Sequence, residues 1–355
     1  MIETYGWSDT LEHDFAPYAA RGLTPGRVIV QQRGLYGLIT PAGEIQAEIS
    51  GRLARDAEAG GYPAAGDWVA VAGGGPGERG IIHEVLPRRT AFTRKASGPQ
   101  GGVQVVAANV DVAFLTASLN ADLNARRLER YLAAAWQSGA SPVIVLTKAD
   151  LCDDIDDAVA EVEGVAFGAP ILAVSAVTGQ GLELLAPYLG PGKTGVMVGS
   201  SGVGKSTLVN ALAGAELMDT GAIREDDARG RHTTSHRELI LLPGGGLLLD
   251  TPGMRELGLW DSEEGLAATF EDIELIAASC KFNDCGHSNE PGCAVRAALA
   301  DGSLDADRWK SYGKLQRELA FLAAKEDPAL RAANRRHWIG IHKAAKARMK
   351  AKGKG

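Results

Sequence analysis

Gly199-Ser200-Ser201-Gly202-Val203-Gly204-Lys205-Ser206 has the spacing G-x-x-x-x-G-K-[ST], with an apolar run before it at 195–198 and a helix-forming run after it at 206–213. Glycines at these places let backbone N–H groups turn inward around phosphate oxygens, and a helix N-terminus adds a favourable dipole. Lys205 would reach the β and γ phosphates of a nucleotide, and Ser206 would hold Mg²⁺, with Thr207 beside it in the same first turn. Further on, Asp250-Thr251-Pro252-Gly253 ends a second apolar run, 247–249. Asp250 there would complete the Mg²⁺ shell, and the Gly253 N–H would meet the γ phosphate. Between the two motifs, a polar stretch carries Gly230-Arg231-His232-Thr233-Thr234. That suits a switch loop ordered by Mg²⁺ and the γ phosphate, Thr233 serving the metal and Thr234 the reacting phosphate.

A base can be chosen by Thr147-Lys148-Ala149-Asp150, at the end of the apolar run 143–146, and by Ser175-Ala176, at the end of 171–174. An aspartate such as Asp150 accepts from both guanine N1–H and N2–H₂, a pair that adenine does not offer. The Lys148 stem would cover the ring face, and the Ala176 N–H would meet O6. A third constellation, Cys280-x₄-Cys285-x-His287-x₅-Cys293, offers three thiolates and an imidazole at close spacing. This is a full tetrahedral set for one structural zinc, with no position left for water. Cys152 stands apart from it and reads as an incidental thiol.

These motifs need elements to hold them. Residues 1–24 form an extension with scattered aromatics. Within 25–95, five short β-like runs (27–31, 36–40, 44–49, 67–72 and 81–86) separated by glycines predict a small barrel, an OB-fold by strand count. Arg33, Arg52, Arg88, Arg89, Arg94 and Lys95 are candidates for a phosphate-facing surface on it. From 100 to 262, strands alternate with helices, as in an α/β sheet with parallel core strands. One helix, 124–139, is expected to carry Arg126, Arg127 and Arg130 on its polar side, and 239–250 reads as a hairpin. Residues 263–330 are helical around the cysteines, with Ser303 expected to cap a helix that ends at Asp327-Pro328. The fold class is therefore multidomain: an N-terminal β-barrel, a central α/β phosphate-loop domain and a mainly α-helical zinc-binding part.

The chain has 355 residues, 45% of them apolar, and a formal charge of −7. Nine lysines and arginines and no acid occupy 331–355, so the other 330 residues carry −16. Such an asymmetry suggests a basic arm for phosphate on an acidic body, or else a solvated tail. No basic-then-apolar leader and no long apolar run occur, which predicts a cytoplasmic protein without membrane contact, expected as a monomer.

Taken together, the motifs resemble the circularly permuted GTPases, and most closely the small-ribosomal-subunit-dependent RsgA family. The base-reading residues 147–150 and 175–176 precede Lys205, whereas in most GTPases the phosphate loop comes first. The resemblance covers roughly residues 25–325. It implies a GTPase that uses Mg²⁺ with GTP, binds the small ribosomal subunit and its rRNA, and is stimulated by it during late assembly. Two departures stand out. Thr147 occupies a place where asparagine is usual, so weaker base affinity is expected. Met254 stands where GTPases commonly place a water-orienting glutamine. A thioether cannot orient water, so His232 becomes the candidate group to complete catalysis. Two other readings stay open: an RNA-binding assembly factor that holds GTP without turnover, and a P-loop ATPase in which 147–150 is coincidental.

Overall fold

Helix α1 (Asp9–Ala19) starts where the Ser8 hydroxyl accepts from the Leu11 N–H, and it lays Leu11 and Phe15 against Trp68 and Leu86. The computed structural model describes residues 1–32, 34–57, 60–75, 78–95, 103–120, 123–166, 168–218, 237–250 and 263–326. The chain divides into two units, 1–258 and 259–355.

In the first unit, β1 (Thr24–Gln31), β2 (Tyr36–Thr40), β3 (Gly43–Ile49), β4 (Trp68–Gly73) and β5 (Gly80–Val85) close in the order β1-β2-β3-β5-β4-β1, with β3 and β5 parallel. Helix α2 (Gly51–Asp56) lies between β3 and β4. This is the five-stranded barrel expected from the sequence. Its core is Val28, Tyr36, Leu38, Ala47, Val69, Val71 and Ile82, and each of its Val, Leu and Ile chains contributes about 1.5–3 kcal/mol on burial.

Strand β1 lines two cores, its facing changed by a β-bulge between Val28 and Val30. Val28 points into the barrel, while Ile29 packs in a cluster with Phe92, Leu115, Leu239 and Leu249. The strand also continues the neighbouring sheet. Strand β6 (Ala91–Lys95) pairs with β7 (Val103–Ala108) in a separate hairpin that the sequence pattern did not show. Then β8 (Val112–Ser118), β9 (Ser141–Thr147), β10 (Ile171–Ala173), β11 (Thr194–Val198), β12 (Arg237–Leu241) and β13 (Leu247–Asp250) assemble in the order β10-β9-β8-β11-β13-β12, and β12 pairs antiparallel with β1. The first five in that order run parallel. All seven residues of β8 and all five of β11 are buried, as expected for strands covered on both faces.

Helix α3 (Ala125–Ser138) is capped by Asn124, whose Oδ1 accepts from the Arg127 N–H at 3.0 Å, and α4 (Ile155–Glu163) by Asp154. Helix α5 (Lys205–Ala213) follows β11. The three arginines of α3 do not form a simple solvated face: Arg126 Nη1 donates to the fully buried Glu129, and Arg127 turns to the glycine loop.

Arg27 joins the parts of this unit. Its buried guanidinium donates to the carbonyls of Tyr5, Gly66 and Asn109 and to Thr194 Oγ1, and it lies 5.4 Å from the Trp68 ring centre.

The second unit contains α6 (Glu263–Thr269), α7 (Glu271–Ala278), α8 (Ala294–Asp301) and α9 (Ala306–Glu326). Phe270, Ile273 and Val295 are fully buried in it. Arg308 grips both oxygens of Asp272, at 2.6 and 2.7 Å, and covers the Phe270 ring. The start of α9 corrects the expectation for Ser303. Asp305 caps this helix by accepting from the Arg308 N–H, whereas Ser303 bonds to Asp301 and the Ala298 carbonyl. Position decides it, since Asp305 directly precedes Ala306 and its short carboxylate reaches the first-turn donors. Among the described residues no helix is long and apolar enough to cross a membrane.

Candidate nucleotide site and metal centre

Strand β11 delivers Val198 to the centre of the sheet, and the chain then turns through 199–204 into α5. The turn needs its glycines. Gly202 and Gly204 hold φ at +79° and +97°, and a Cβ on Gly199 would collide with the hydroxyl and carbonyl of Thr116 on β8. Val203 anchors the loop, 1% exposed. Ser200 and Ser201 lie on its outer side, and Ser206 and Thr207 occupy the first turn of α5. Lys205 Nζ donates to the carbonyls of Gly199 and Ser200, so its ammonium already lies over the loop. Asp250 ends β13, one residue beyond the Val196–Leu249 pair that aligns it with β11.

The base-reading motif is fastened to this loop. Thr147, 3% exposed, places Oγ1 2.5 Å from the Val203 carbonyl and 3.2 Å from that of Ala117. Lys148, with φ at +60°, donates from Nζ to the Gly202 carbonyl at 2.9 Å. The buried Ser175 hydroxyl donates to Asp150 Oδ1 at 2.5 Å, and Ala176 follows it at the rim. Thus three segments far apart in sequence (147–150, 175–176 and 199–206) meet at the C-terminal ends of parallel strands. Ligands of open α/β sheets bind at such ends. The threonine departure is structurally modest, since its hydroxyl supplies the cross-loop bond.

Arg127 was not singled out from the sequence as part of this site. Its Nη1 lies 2.8 Å from Ser200 Oγ, bringing a second cation to the loop. Its only sequence signal was its place at the start of a helix. His232, Thr233, Thr234, Gly253, Met254, Arg33 and the basic segment 331–355 lie outside the described residues.

In the second unit, Cys280, Cys285, His287 and Cys293 bring their ligand atoms within 4.8 Å of one another. Cys280 Sγ is 3.9 Å from Cys293 Sγ, and His287 Nδ1 is 3.6 and 3.5 Å from these two sulfurs. A zinc tetrahedron with Zn–S near 2.3 Å and Zn–N near 2.05 Å has edges of about 3.8 Å (S···S) and about 3.5 Å (S···N). The donor set therefore fits zinc in chemistry and spacing. His287 reaches inward from a left-handed backbone, φ +55°, and its ring meets Trp309 edge-on at 5.6 Å. Glu290 closes the loop by accepting from the N–H groups of Gly286, Ser288 and Asn289. The Cys285 thiol resists ionisation beside the other two sulfurs. A backbone hydrogen bond from His287 lowers the Cys285 thiol, but desolvation and the Cys293 and Cys280 sulfurs outweigh it, and the thiol is pushed up to about 11. A divalent ion removes that repulsion.

A family profile described as RsgA GTPase matches residues 85–260. The small ribosomal subunit biogenesis GTPase RsgA of Opitutus terrae is 48% identical over 363 residues, covering 99% of each chain. The protein of the same name from Streptomyces avermitilis is 47% identical, covering 98% of this chain and 94% of its own. Among solved structures, YjeQ from Thermotoga maritima superposes with a TM-score of 0.63 at 28% identity, over 84% of this chain and 98% of that one. YloQ, described as a circularly permuted GTPase, gives 0.59 at 26% identity, over 84% and 95%.

Proposed function

The chain belongs to the RsgA GTPase family, and we propose that it hydrolyses GTP as a timer in the biogenesis of the small ribosomal subunit. In this reading the GTP form holds the subunit, contact with the subunit's rRNA stimulates hydrolysis, and the GDP form leaves. The observation that carries it is the fastening of 147–150 onto the glycine loop by Thr147 and Lys148, with Asp150 aimed by Ser175. The same contacts argue against a coincidental base motif, and so against an ATPase.

The proposed roles rest on the motif spacing, joined for 147–150, 175–176, 199–207 and 250 by the contacts above. Gly199, Ser200, Ser201, Gly202, Val203 and Gly204 wrap the phosphates, and Lys205 exchanges its two carbonyl partners for phosphate oxygens. Ser206, Asp250 and Thr233 hold Mg²⁺, Thr207 supports the first helical turn, and the Gly253 N–H meets the γ phosphate. Asp150 takes the guanine edge, with Lys148 across the ring and the Ala176 N–H on O6. A water oxygen then bonds to the γ phosphorus as the bond to the β–γ bridging oxygen breaks, giving GDP and phosphate. Met254 cannot orient that water, so His232 is assigned this task, with Thr234 beside the γ phosphate. Unchanged subunit-stimulated turnover in His232→Ala would refute the assignment. Four ligands make the zinc structural. As domains we propose an extension to residue 24, a barrel at 25–95, a GTPase domain at 100–262, a zinc-binding helical domain at 263–330 and a basic tail at 331–355. The protein would act as a cytoplasmic monomer.

Co-sedimentation with isolated small subunits tests the timer. Retention with a non-hydrolysable GTP analogue and release with GDP is the expected pattern, and equal retention in both states would overturn it.

A further inference from the structure

The phosphate loop is anchored at both ends. Gly199 lies close against Thr116 of β8, whose Oγ1 donates to the Val198 carbonyl at 2.7 Å. Beyond the turn Val203 is buried, and Thr147 and Lys148 bond to the carbonyls of Val203 and Gly202. Ser200 lies between these anchors, and two cations meet on it. Lys205 Nζ donates to its carbonyl at 2.5 Å, and Arg127 Nη1 donates to its hydroxyl oxygen at 2.8 Å.

Topology brings Arg127 there. Strand β8 lies parallel beside β11, with Leu115 opposite Val198, so the helix that follows β8 starts beside the loop that follows β11. Asn124 Oδ1 accepts from the Arg127 N–H at 3.0 Å and fixes the backbone of the first turn. The next residue, Leu128, is buried in one core cluster with Tyr131 and Leu132, which sets the rotation of α3 about its axis. The helix itself gains nothing from a cation at this point. With Asn124 as the cap, Arg127 takes the third helical position, where a glutamate would complete a capping box and suit the helix dipole, and no acid stands in the first turn. An arginine at 127 is therefore explained by what its side chain reaches.

We propose that Arg127 is a positioning residue of the nucleotide site, holding the first half of the phosphate loop through Ser200 while Lys205 is engaged with phosphate. This rests on the roles given above to the loop and to Lys205, and adds a residue from another helix to them. Lys205 ties the carbonyls of Gly199 and Ser200. An ammonium has three protons, and those given to the β and γ phosphates are withdrawn from these carbonyls. The loop thus loses a tie at the moment when its N–H groups must converge on the phosphate oxygens. The Arg127 bond goes to the side chain of Ser200 instead of its carbonyl, so it is independent of that exchange. Because the donor is charged, the bond is about twice as strong as a neutral one.

The test measures affinity for a fluorescent non-hydrolysable GTP analogue with Mg²⁺ in full-length wild type, Arg127→Met, Arg127→Lys, Ser200→Ala and the Arg127→Met/Ser200→Ala double variant. Urea unfolding of each protein without nucleotide runs beside it. The expected result is about tenfold weaker binding for Arg127→Met and for Ser200→Ala, with no further loss in the double variant, since both changes remove the same bond. Arg127→Lys, which keeps the charge and a donor, should recover most of the affinity, and the unfolding midpoints should stay near wild type. Ser200→Ala removes a single hydroxyl, so it keeps the test alive if Arg127→Met folds poorly. Losses that multiply to about a hundredfold in the double variant would overturn action through Ser200. Wild-type affinity in a folded Arg127→Met or Ser200→Ala protein would overturn the role altogether. So would a loss of affinity that only tracks a fall in the unfolding midpoint. Wild type binding the analogue no more tightly than Lys205→Ala would instead count against the phosphate-loop reading, and with it this role.

Discussion

Thr147→Val keeps the shape and one methyl of the threonine and removes only the hydroxyl. In the structure that hydroxyl has one proton and two carbonyls in reach, at 2.5 Å (Val203) and 3.2 Å (Ala117), so the shorter contact takes the proton. The valine variant loses this bond and strands a carbonyl in a region where Thr147 is 3% exposed. Leaving a buried polar group unsatisfied costs about 1–3 kcal/mol. If the whole cost falls on the join between base loop and phosphate loop, guanine nucleotide affinity drops about fivefold to 150-fold. If part of it falls on the nucleotide-free fold, the denaturation midpoint drops as well. Titration with a fluorescent GDP analogue, beside urea unfolding, measures both shares. Thr147→Ser and Thr147→Asn, which keep a donor, should stay near wild type. A valine variant with wild-type affinity and stability would refute the cross-loop bond as a contributor.

Other outcomes follow from named contacts. Arg308→Ala leaves Asp272 without its buried partner and should destabilise the second unit by about 3–5 kcal/mol, detectable as early proteolysis within 259–326. Glu290→Gln weakens the clamp on the metal loop and should speed zinc transfer to a chelator; unchanged transfer would show that the clamp does not hold the loop. Hydrogen bonds from backbone N–H groups, its own first, hold the Glu290 carboxyl below the usual range. Its contribution is therefore present above about pH 4.5 and lost as pH falls through the lowered value. Because thiols and imidazole must be deprotonated to bind metal, zinc retention in wild type should already fail at higher pH than that, which a pH-jump assay with a zinc indicator reads.

Much of this was legible in the residues because the demands were local. A glycine loop between an apolar strand and a helix, four metal donors within one short loop and alternating barrel strands each carry their geometry in their spacing. The features that escaped were long-range. Nothing in the spacing of Arg27 announces that Tyr5, Gly66, Asn109 and Thr194 will supply its acceptors. Arg127 reads as one more polar helical residue until α3 is laid beside the loop, where it meets Ser200. Likewise β1 looks like an ordinary barrel strand, and only the pairing of Gln31 with Arg237 reveals that it extends a second sheet. At Thr147 the residue type alone predicted weakness, while the structure shows its hydroxyl spanning to Val203.

The central claim, a GTPase whose turnover answers to the small ribosomal subunit, is tested most directly by GTP turnover with and without isolated subunits, beside Lys205→Ala. Slow turnover alone, a large rise with subunits, and no rise in the variant are the expected results. A flat response of wild type to subunits would contradict it.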